Sequence, residues 1–170
     1  GPKDSGLQFA LNCKEEQLPI NYQHLVLTHL QEKEHLGVLT GSPITDMKIT
    51  LVAGKAHQKH TEGGDFREAT YRALRQGLKM TKSVLLEPYF AFSLEIPAES
   101  LSKAIYDIEL MNGEFKIKDQ TADKVILSGK APVSKMQNYQ NEVISYTKGK
   151  GRLIYRLDGY QSCQEQDKII

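Results

Sequence analysis

The amino-acid sequence predicts an α+β protein of two small domains. Its 170 residues are 39% hydrophobic and 25% charged, a composition typical of an ordinary globular protein. Strand and helix patterns alternate along the chain, and after residue 83 they follow the order βαββαβ, which is typical of the ferredoxin-like arrangement. We therefore expect one domain over residues 1–83, a second over 84–161 and a tail over 162–170 that is either a frayed end or the start of a truncated C-terminal helix.

The first domain shows the patterns strand, helix, strand and helix. Residues 7–13 alternate apolar and polar side chains and predict a strand, after which Pro19 opens a helix that stops at Gly37. The side chains expected at helical spacing on its packed face are Tyr22, Leu25, Val26, His29, Leu30 and Leu36. Residues 44–54 predict a second strand, and Asp65 is suited to cap the second helix. That helix extends to residue 80.

The second helix is predicted to be amphipathic. Its buried side is expected to hold Phe66, Ala69, Tyr71, Ala73, Leu74, Leu78 and Met80. Its other side is basic and carries Arg67, Arg72, Arg75 and Lys79.

The second domain shows every strand and helix pattern of the βαββαβ order. Its final strand carries Leu153, Tyr155 and Leu157 on one face, and its first strand is interrupted at Pro88. The predicted elements are a strand over 84–96, a helix over 98–111, strands over 114–119 and 124–131, a helix over 135–146 and a strand over 152–157.

The sequence also indicates where the protein is located and whether disulfides or metal ions stabilise it. No apolar run approaches the roughly 20 residues that span a bilayer, and no signal-peptide pattern is present, so we expect a cytoplasmic protein without a membrane partner. Cys13 and Cys163 lie far apart with no Cys/His ligand spacing, which argues against a disulfide framework or a zinc site. We expect a monomer that does not bind DNA.

The small net charge of +1 hides an uneven distribution. Residues 48–82 hold 8 Lys or Arg against 3 Asp or Glu, and residues 124–160 hold 7 against 2, so each block carries +5. Residues 1–47 and 83–123 carry −3 and −5. Two basic blocks in a neutral chain suit selected contacts with nucleic-acid phosphate, although chance clustering on solvated faces gives the same count.

The polar segment 55–64 is the main candidate binding loop. It presents Lys55, His57, Gln58, Lys59 and His60, whose side chains can neutralise phosphate or hydrogen-bond to nucleotides. A mobile polar loop is the alternative, and a metal site at the two histidines is disfavoured because a lysine lies between them.

Catalytic motifs are missing from this sequence. It has no phosphate-binding glycine loop and no nucleophile elbow, so we expect no enzyme activity and no cofactor in this chain. A small ferredoxin-like hydrolase is disfavoured because residues 85–92 lack an Arg and contain Pro88. A protein-binding module that uses the acidic residues 83–123 stays open as an alternative.

Four segments together resemble the fourth and fifth domains of elongation factor G and its relatives. They are ITLVAGKAHQKHTEGGDF (49–66), VLLEPY (84–89), VILSGKAP (125–132) and YTKGKGRLIYRLDGY (146–160). The similarity covers nearly the whole chain, and the LLEP segment is shared across these translational GTPases.

Other residues resemble the ribosomal protection proteins that confer tetracycline resistance. They are SGLQF (5–9), Asp65-Phe66, Tyr89, VILSG and Gly159-Tyr160. The glycine-rich turn that translocases carry after the first strand is replaced here by CKEEQL (13–18), which favours the protection branch. In contrast, His57 matches the translocase loop, and Gln58, Lys59 and His60 replace the Ser-Pro-Val tip of the protection proteins, so an elongation factor G-like translocase is the alternative.

The resemblance implies a fold and a role. It implies a left-handed βαβ crossover in the first domain and a ferredoxin-like second domain. It implies that loops at the tip of the first domain reach the decoding centre of 16S rRNA, where tetracycline binds, and that the second domain lies near the GTPase-associated region of the large subunit. GTP and magnesium would bind in an N-terminal domain outside this sequence. The implied contacting residues are Gln58, Lys59 and His60, supported by Lys55 and His57, with Lys14, Glu15 and Glu16 in the neighbouring loop.

Overall fold

The computed structural model of the chain describes residues 1–57 and 62–170. The chain forms two compact units. Unit 1 comprises residues 1–83 and 167–170, and unit 2 comprises residues 84–166. Unit 2 thus extends five residues beyond the predicted end at 161.

Unit 1 is a two-stranded parallel sheet with two helices. Its elements are β1 (Leu7–Leu11), α1 (Ile20–Gln31), β2 (Met47–Leu51) and α2 (Gly63–Met80). The strands pair in register from Leu7 opposite Met47 to Leu11 opposite Leu51. Because parallel strands cannot be joined by a tight hairpin, the chain crosses between them through α1.

The core of unit 1 forms where the helices cover the sheet. Leu18, Val26, Leu30 and Phe66 are buried together, and the Phe66 ring stacks on Tyr22 with centroids 4.7 Å apart. The apolar spacing of α1 predicted the burial of Val26 and Leu30.

The first helix ends six residues before the predicted stop at Gly37. After Gln31 the chain turns back, because His35 Nε2 lies 2.8 Å from the Leu30 carbonyl oxygen and the Ile44 N–H donates to the His35 carbonyl at 2.9 Å. Leu36, expected on the apolar helix face, is 56% exposed.

The second helix begins with a capping box rather than with Asp65 as its cap. Glu62 is the N-cap residue, and its backbone N–H donates to the Asp65 Oδ2 at 2.9 Å. Phe66, Thr70 and Leu78 are its buried residues. Ala69, Ala73 and Met80, predicted to be buried, are exposed.

Unit 2 is a four-stranded sheet with helices on one face, and it has the predicted ferredoxin-like topology. The strand order is β4-β5-β3-β6 and every neighbouring pair is antiparallel. Its elements are β3 (Leu86–Pro97), α3 (Leu101–Leu110), β4 (Glu114–Gln120), β5 (Lys124–Pro132), α4 (Val133–Met136), α5 (Tyr139–Tyr146) and β6 (Arg152–Ser162).

Several elements of unit 2 differ from the prediction. The last strand, β6, extends to Ser162, five residues beyond the predicted end at 157. Pro88 does not interrupt β3. Pairing with β5 starts only at Tyr89, and the register with β6 shifts between Pro88 and Phe90. The N–H that proline lacks is therefore not needed for strand pairing here. The single helix predicted over 135–146 is divided into α4 and α5.

The core of unit 2 contains one buried polar group that the helices share. Asp107 of α3 accepts a hydrogen bond from the Tyr139 hydroxyl of α5 at 3.0 Å and lies 2.5 Å from Lys103 Nζ. Around it pack Leu94, Ile96, Ala104, Ile108, Val125, Leu127, Met136, Val143 and Leu153.

The end of the chain is tied to the start of β3. The Cys163 N–H donates to the Leu85 carbonyl at 2.8 Å, and the Leu85 N–H donates to Gln166 Oε1 at 3.2 Å. A short helix, α6 (Gln166–Ile169), follows.

Candidate functional site

The loops after β1 and β2 leave unit 1 at the same edge, because the two strands are parallel and paired in register. We call residues 12–18 and 52–57 together the loop edge. Leu11 lies opposite Leu51, and the Asn12 N–H donates to the Leu51 carbonyl at 2.8 Å, so the ladder continues into the loops. The parallel pairing thus brings together two segments that are about 40 residues apart in the sequence.

The first loop of this edge is a fixed turn. The backbone N–H groups of Gln17 and Leu18 both donate to the Lys14 carbonyl, at 3.0 and 3.1 Å. The buried Gln23 amide of α1 holds the turn from below, donating from Nε2 to the Leu18 carbonyl at 2.7 Å and to the Cys13 carbonyl at 3.2 Å. Lys14, Glu15 and Glu16 are exposed on its outer side.

The second loop packs against the first through Gly54. A Cβ on Gly54 would lie only 2.7 Å from Leu18 Cδ2, and Leu18 is 1% exposed, so any larger residue here would force the buried leucine side chain to shift. Ala56 packs against the core of unit 1, whereas Lys55 and His57 are exposed. Gly54 therefore sets how closely the two loops lie.

The structure brings five of the eight predicted site residues to this edge. Lys14, Glu15 and Glu16 lie on one loop, and Lys55 and His57 lie on the other. Gln58, Lys59 and His60 fall outside the described residues. The contacting role of all eight stays a prediction.

The described loop edge carries balanced charge. It holds two lysines, Lys14 and Lys55, and two glutamates, Glu15 and Glu16, and all four are exposed. Such a surface attracts phosphate weakly, so it suits hydrogen bonding to particular groups more than tight electrostatic binding. Among residues 1–57 and 62–170, no group of three His, Cys, Asp or Glu comes together as a metal site.

The helices that support the loop edge are joined by Glu32, just beyond the end of α1. Its carboxylate accepts a hydrogen bond from the Tyr71 hydroxyl and one from Arg67 Nε at 3.0 Å, both on α2, and lies 3.3 Å from His29 Nδ1. The Tyr71 hydrogen bond, followed by His29 and Arg67, lowers the pKa of Glu32 from 4.5 to about 2. Lys33 Nζ lies 3.6 Å from the centre of the Tyr71 ring.

Sequence reasoning missed both Gln23 and Glu32. Gln23 is 2% exposed, and a glutamine between apolar helix residues is the one local signal that could have drawn attention to it. No local sequence pattern indicates the role of Glu32, since its α2 partners Arg67 and Tyr71 are 35 and 39 residues away in the sequence.

None of the helices in the described parts of the chain is long and apolar enough to cross a bilayer.

Comparison with known proteins gives consistent matches over both units. The family model for elongation factor G, domain IV, matches residues 1–82, and the model for the elongation factor G C-terminus matches residues 84–169. A tetracycline resistance protein, TetP of Clostridium perfringens, is 30% identical over 164 residues, which is 96% of this chain and 25% of that protein.

A solved structure has the same fold. A crystal structure of a protein from Thermus thermophilus superposes with a TM-score of 0.78 at 20% identity, covering 96% of this chain and 25% of that one. The chain thus spans about a quarter of the length of both relatives.

Proposed function

Because the chain belongs to the elongation factor G family, as its domain IV and C-terminal domain, we propose that it is the ribosome-binding part of a translational GTPase of the tetracycline-resistance ribosomal protection type. The observation that supports this most is the loop edge, where two polar loops are fixed side by side at one end of unit 1. The 30% identity to TetP, a tetracycline resistance protein, favours the protection branch.

In this proposal the loop edge reaches the decoding centre of the small subunit and releases bound tetracycline. Lys14 and Lys55 contact phosphate or base edges of 16S rRNA, and His57 stacks or hydrogen-bonds with a nucleotide. Glu15 and Glu16 repel the phosphate backbone, so their loop contacts protein or the amino groups of bases. Gln23 and Gly54 keep the two loops rigid enough for that contact to be selective.

The rest of the activity belongs to the whole protein. We place GTP and magnesium in a domain outside this sequence, unit 2 near the GTPase-associated region of the large subunit, and the protein in the cytoplasm as a monomer. This chain would then act by binding and would catalyse no reaction itself.

A translocase of the elongation factor G type is the second candidate. It is favoured by His57, which matches the translocase loop, and by the absence of the Ser-Pro-Val sequence at residues 58–60. Both candidates require ribosome binding, and only the first requires release of tetracycline.

Ribosome binding tests the part that the two candidates share. We expect the chain to sediment with purified bacterial ribosomes, and we expect the variant K55A/K59A/H60A to lose most of that binding, because it removes three hydrogen-bonding side chains of one loop. The control K3A/K48A removes two lysines from the same unit and should bind like the parent chain. Equal binding by the loop variant and the control would contradict the assigned edge.

A further inference from the structure

The outer side of α2 carries a row of three cations. Arg72, Arg75 and Lys79 are all exposed, whereas Phe66 and Thr70 are buried on the opposite side of the helix. At 3.6 residues per turn, the three cations lie within about 60° of one another around the axis and span about 10 Å along it. They therefore form one continuous cationic face, which we call the α2 row.

Little of this charge is neutralised by the described residues. Arg72 pairs with Glu68 at 2.6 Å, but both side chains are strongly exposed, at 79% and 67%. Exposed pairs of this kind contribute little stability and are screened by salt, so Arg72 can exchange its partner. Arg75 and Lys79 form no ion pair within residues 1–57 and 62–170. The remaining arginine of the helix, Arg67, is occupied by Glu32.

The α2 row itself is open to solvent. Gln76, which stands between Arg75 and Lys79 in the sequence and lies on the same side of the helix, is exposed as well. Protein interfaces centre on large apolar or aromatic anchors, and Met80 is the only large apolar side chain exposed in the described part of this helix. The phosphates of a nucleic-acid backbone are bound instead by exposed cations that they can approach closely.

We propose that the α2 row binds the phosphate backbone of RNA, as a contact separate from the loop edge. This proposal rests on the proposed function, since the ribosome supplies the RNA. Arg75 lies 12 residues after the start of α2 at Gly63, about 18 Å along the helix from that first residue. Phosphate contacts fix register and orientation without reading sequence, so the row would orient unit 1 while the loop edge makes the selective contacts.

The test compares two double variants of the 170-residue chain. R75A/K79A removes the two cations of the row that have no ion pair among the described residues, and alanine at exposed helix positions preserves the helix. K3A/K48A removes the same charge from the same unit, with Lys48 on the strand face opposite Ile49. Binding to purified bacterial ribosomes and to protein-free 16S rRNA is measured over a salt series.

We expect R75A/K79A to bind both targets about tenfold more weakly at moderate salt, and the slope of log affinity against log salt to fall by about 1 to 2. The control should stay within about twofold of the parent chain. Equal affinities of the two variants would overturn the proposal. So would a loss on intact ribosomes without a loss on protein-free rRNA, because the partner would then be a ribosomal protein.

The loop variant K55A/K59A/H60A separates this proposal from the proposed function. If the loop variant loses ribosome binding and R75A/K79A does not, only the α2 row is contradicted. If the parent chain binds neither ribosomes nor rRNA, both proposals are contradicted.

Discussion

At the scale of single residues, Gly54 decides whether the two loops can lie side by side. A Cβ at this position would meet Leu18 at 2.7 Å, and Leu18 is enclosed in the core of unit 1, so it cannot move aside without disturbing Val26 and Phe66. The glycine is needed for this close approach rather than for an unusual backbone angle.

We predict that G54A destabilises unit 1 by about 1 to 3 kcal/mol through overpacking. The matched control is G77A, on the open side of α2, where a methyl group meets nothing within 4 Å and should stabilise the helix by up to about 1 kcal/mol. Thermal unfolding followed by circular dichroism measures both. A G54A variant as stable as G77A would show that the loops are not in close contact.

At the scale of elements, Glu32 links the end of α1 to α2. The carboxylate is ionised over most of the pH range, since Tyr71, His29 and Arg67 hold its pKa at about 2. A lowered folded-state pKa contributes stability above the unfolded pKa, which is near 4.5, and loses that contribution as pH falls toward the folded value.

The variant E32Q should therefore be less stable than the parent chain at pH 7, and the difference should shrink as pH falls from about 5 toward 3. Urea unfolding at pH 7, 5, 4 and 3 measures it. The control E34Q changes an exposed neighbouring glutamate and should leave stability nearly unchanged throughout. A difference between E32Q and the parent that stays constant with pH would contradict the assigned hydrogen bonds.

The elements show which parts of the fold local sequence could predict. The order of strands and helices in unit 2 followed from apolar periodicity, because Leu94, Ile96, Val125 and Leu127 alternate on the buried face. The early end of α1 could not be predicted from apolar periodicity. It depends on the hydrogen bonds of His35 and Ile44, which join residues across a turn. The N-cap of α2 was predicted at Asp65 but is Glu62. Both side chains can accept backbone hydrogen bonds at a helix start, so the sequence alone does not decide between them.

The candidate site was predictable in its residue types and only partly in its geometry. The segment 55–64 was recognisable as exposed and rich in donors, and Lys55 and His57 are exposed. Its contact with the Lys14 loop depends on the parallel pairing of β1 and β2 and on Gly54 against Leu18, two long-range features that local patterns do not encode. The sequence predicted that one side of α2 is basic. Which of its cations have an ion-pair partner could be decided only from the structure, which pairs Arg67 with Glu32 and Arg72 with Glu68.

At the scale of the whole molecule, a nearly neutral chain can bind RNA through restricted surfaces. The net charge of +1 limits non-specific attraction, while the α2 row concentrates cations on one helix and the loop edge presents balanced polar groups. In this proposal the α2 row attracts the RNA backbone and the loop edge makes the selective contacts, and both surfaces belong to unit 1.

The most direct test of the central claim is tetracycline rescue by the full-length protein in a sensitive bacterial host. We predict that the native protein raises the drug concentration the host tolerates, that alanine at Gln58, Lys59 and His60 together abolishes this rescue, and that K3A/K48A retains it. Absence of rescue by a native protein that is expressed and binds ribosomes would contradict the protection role and favour the translocase.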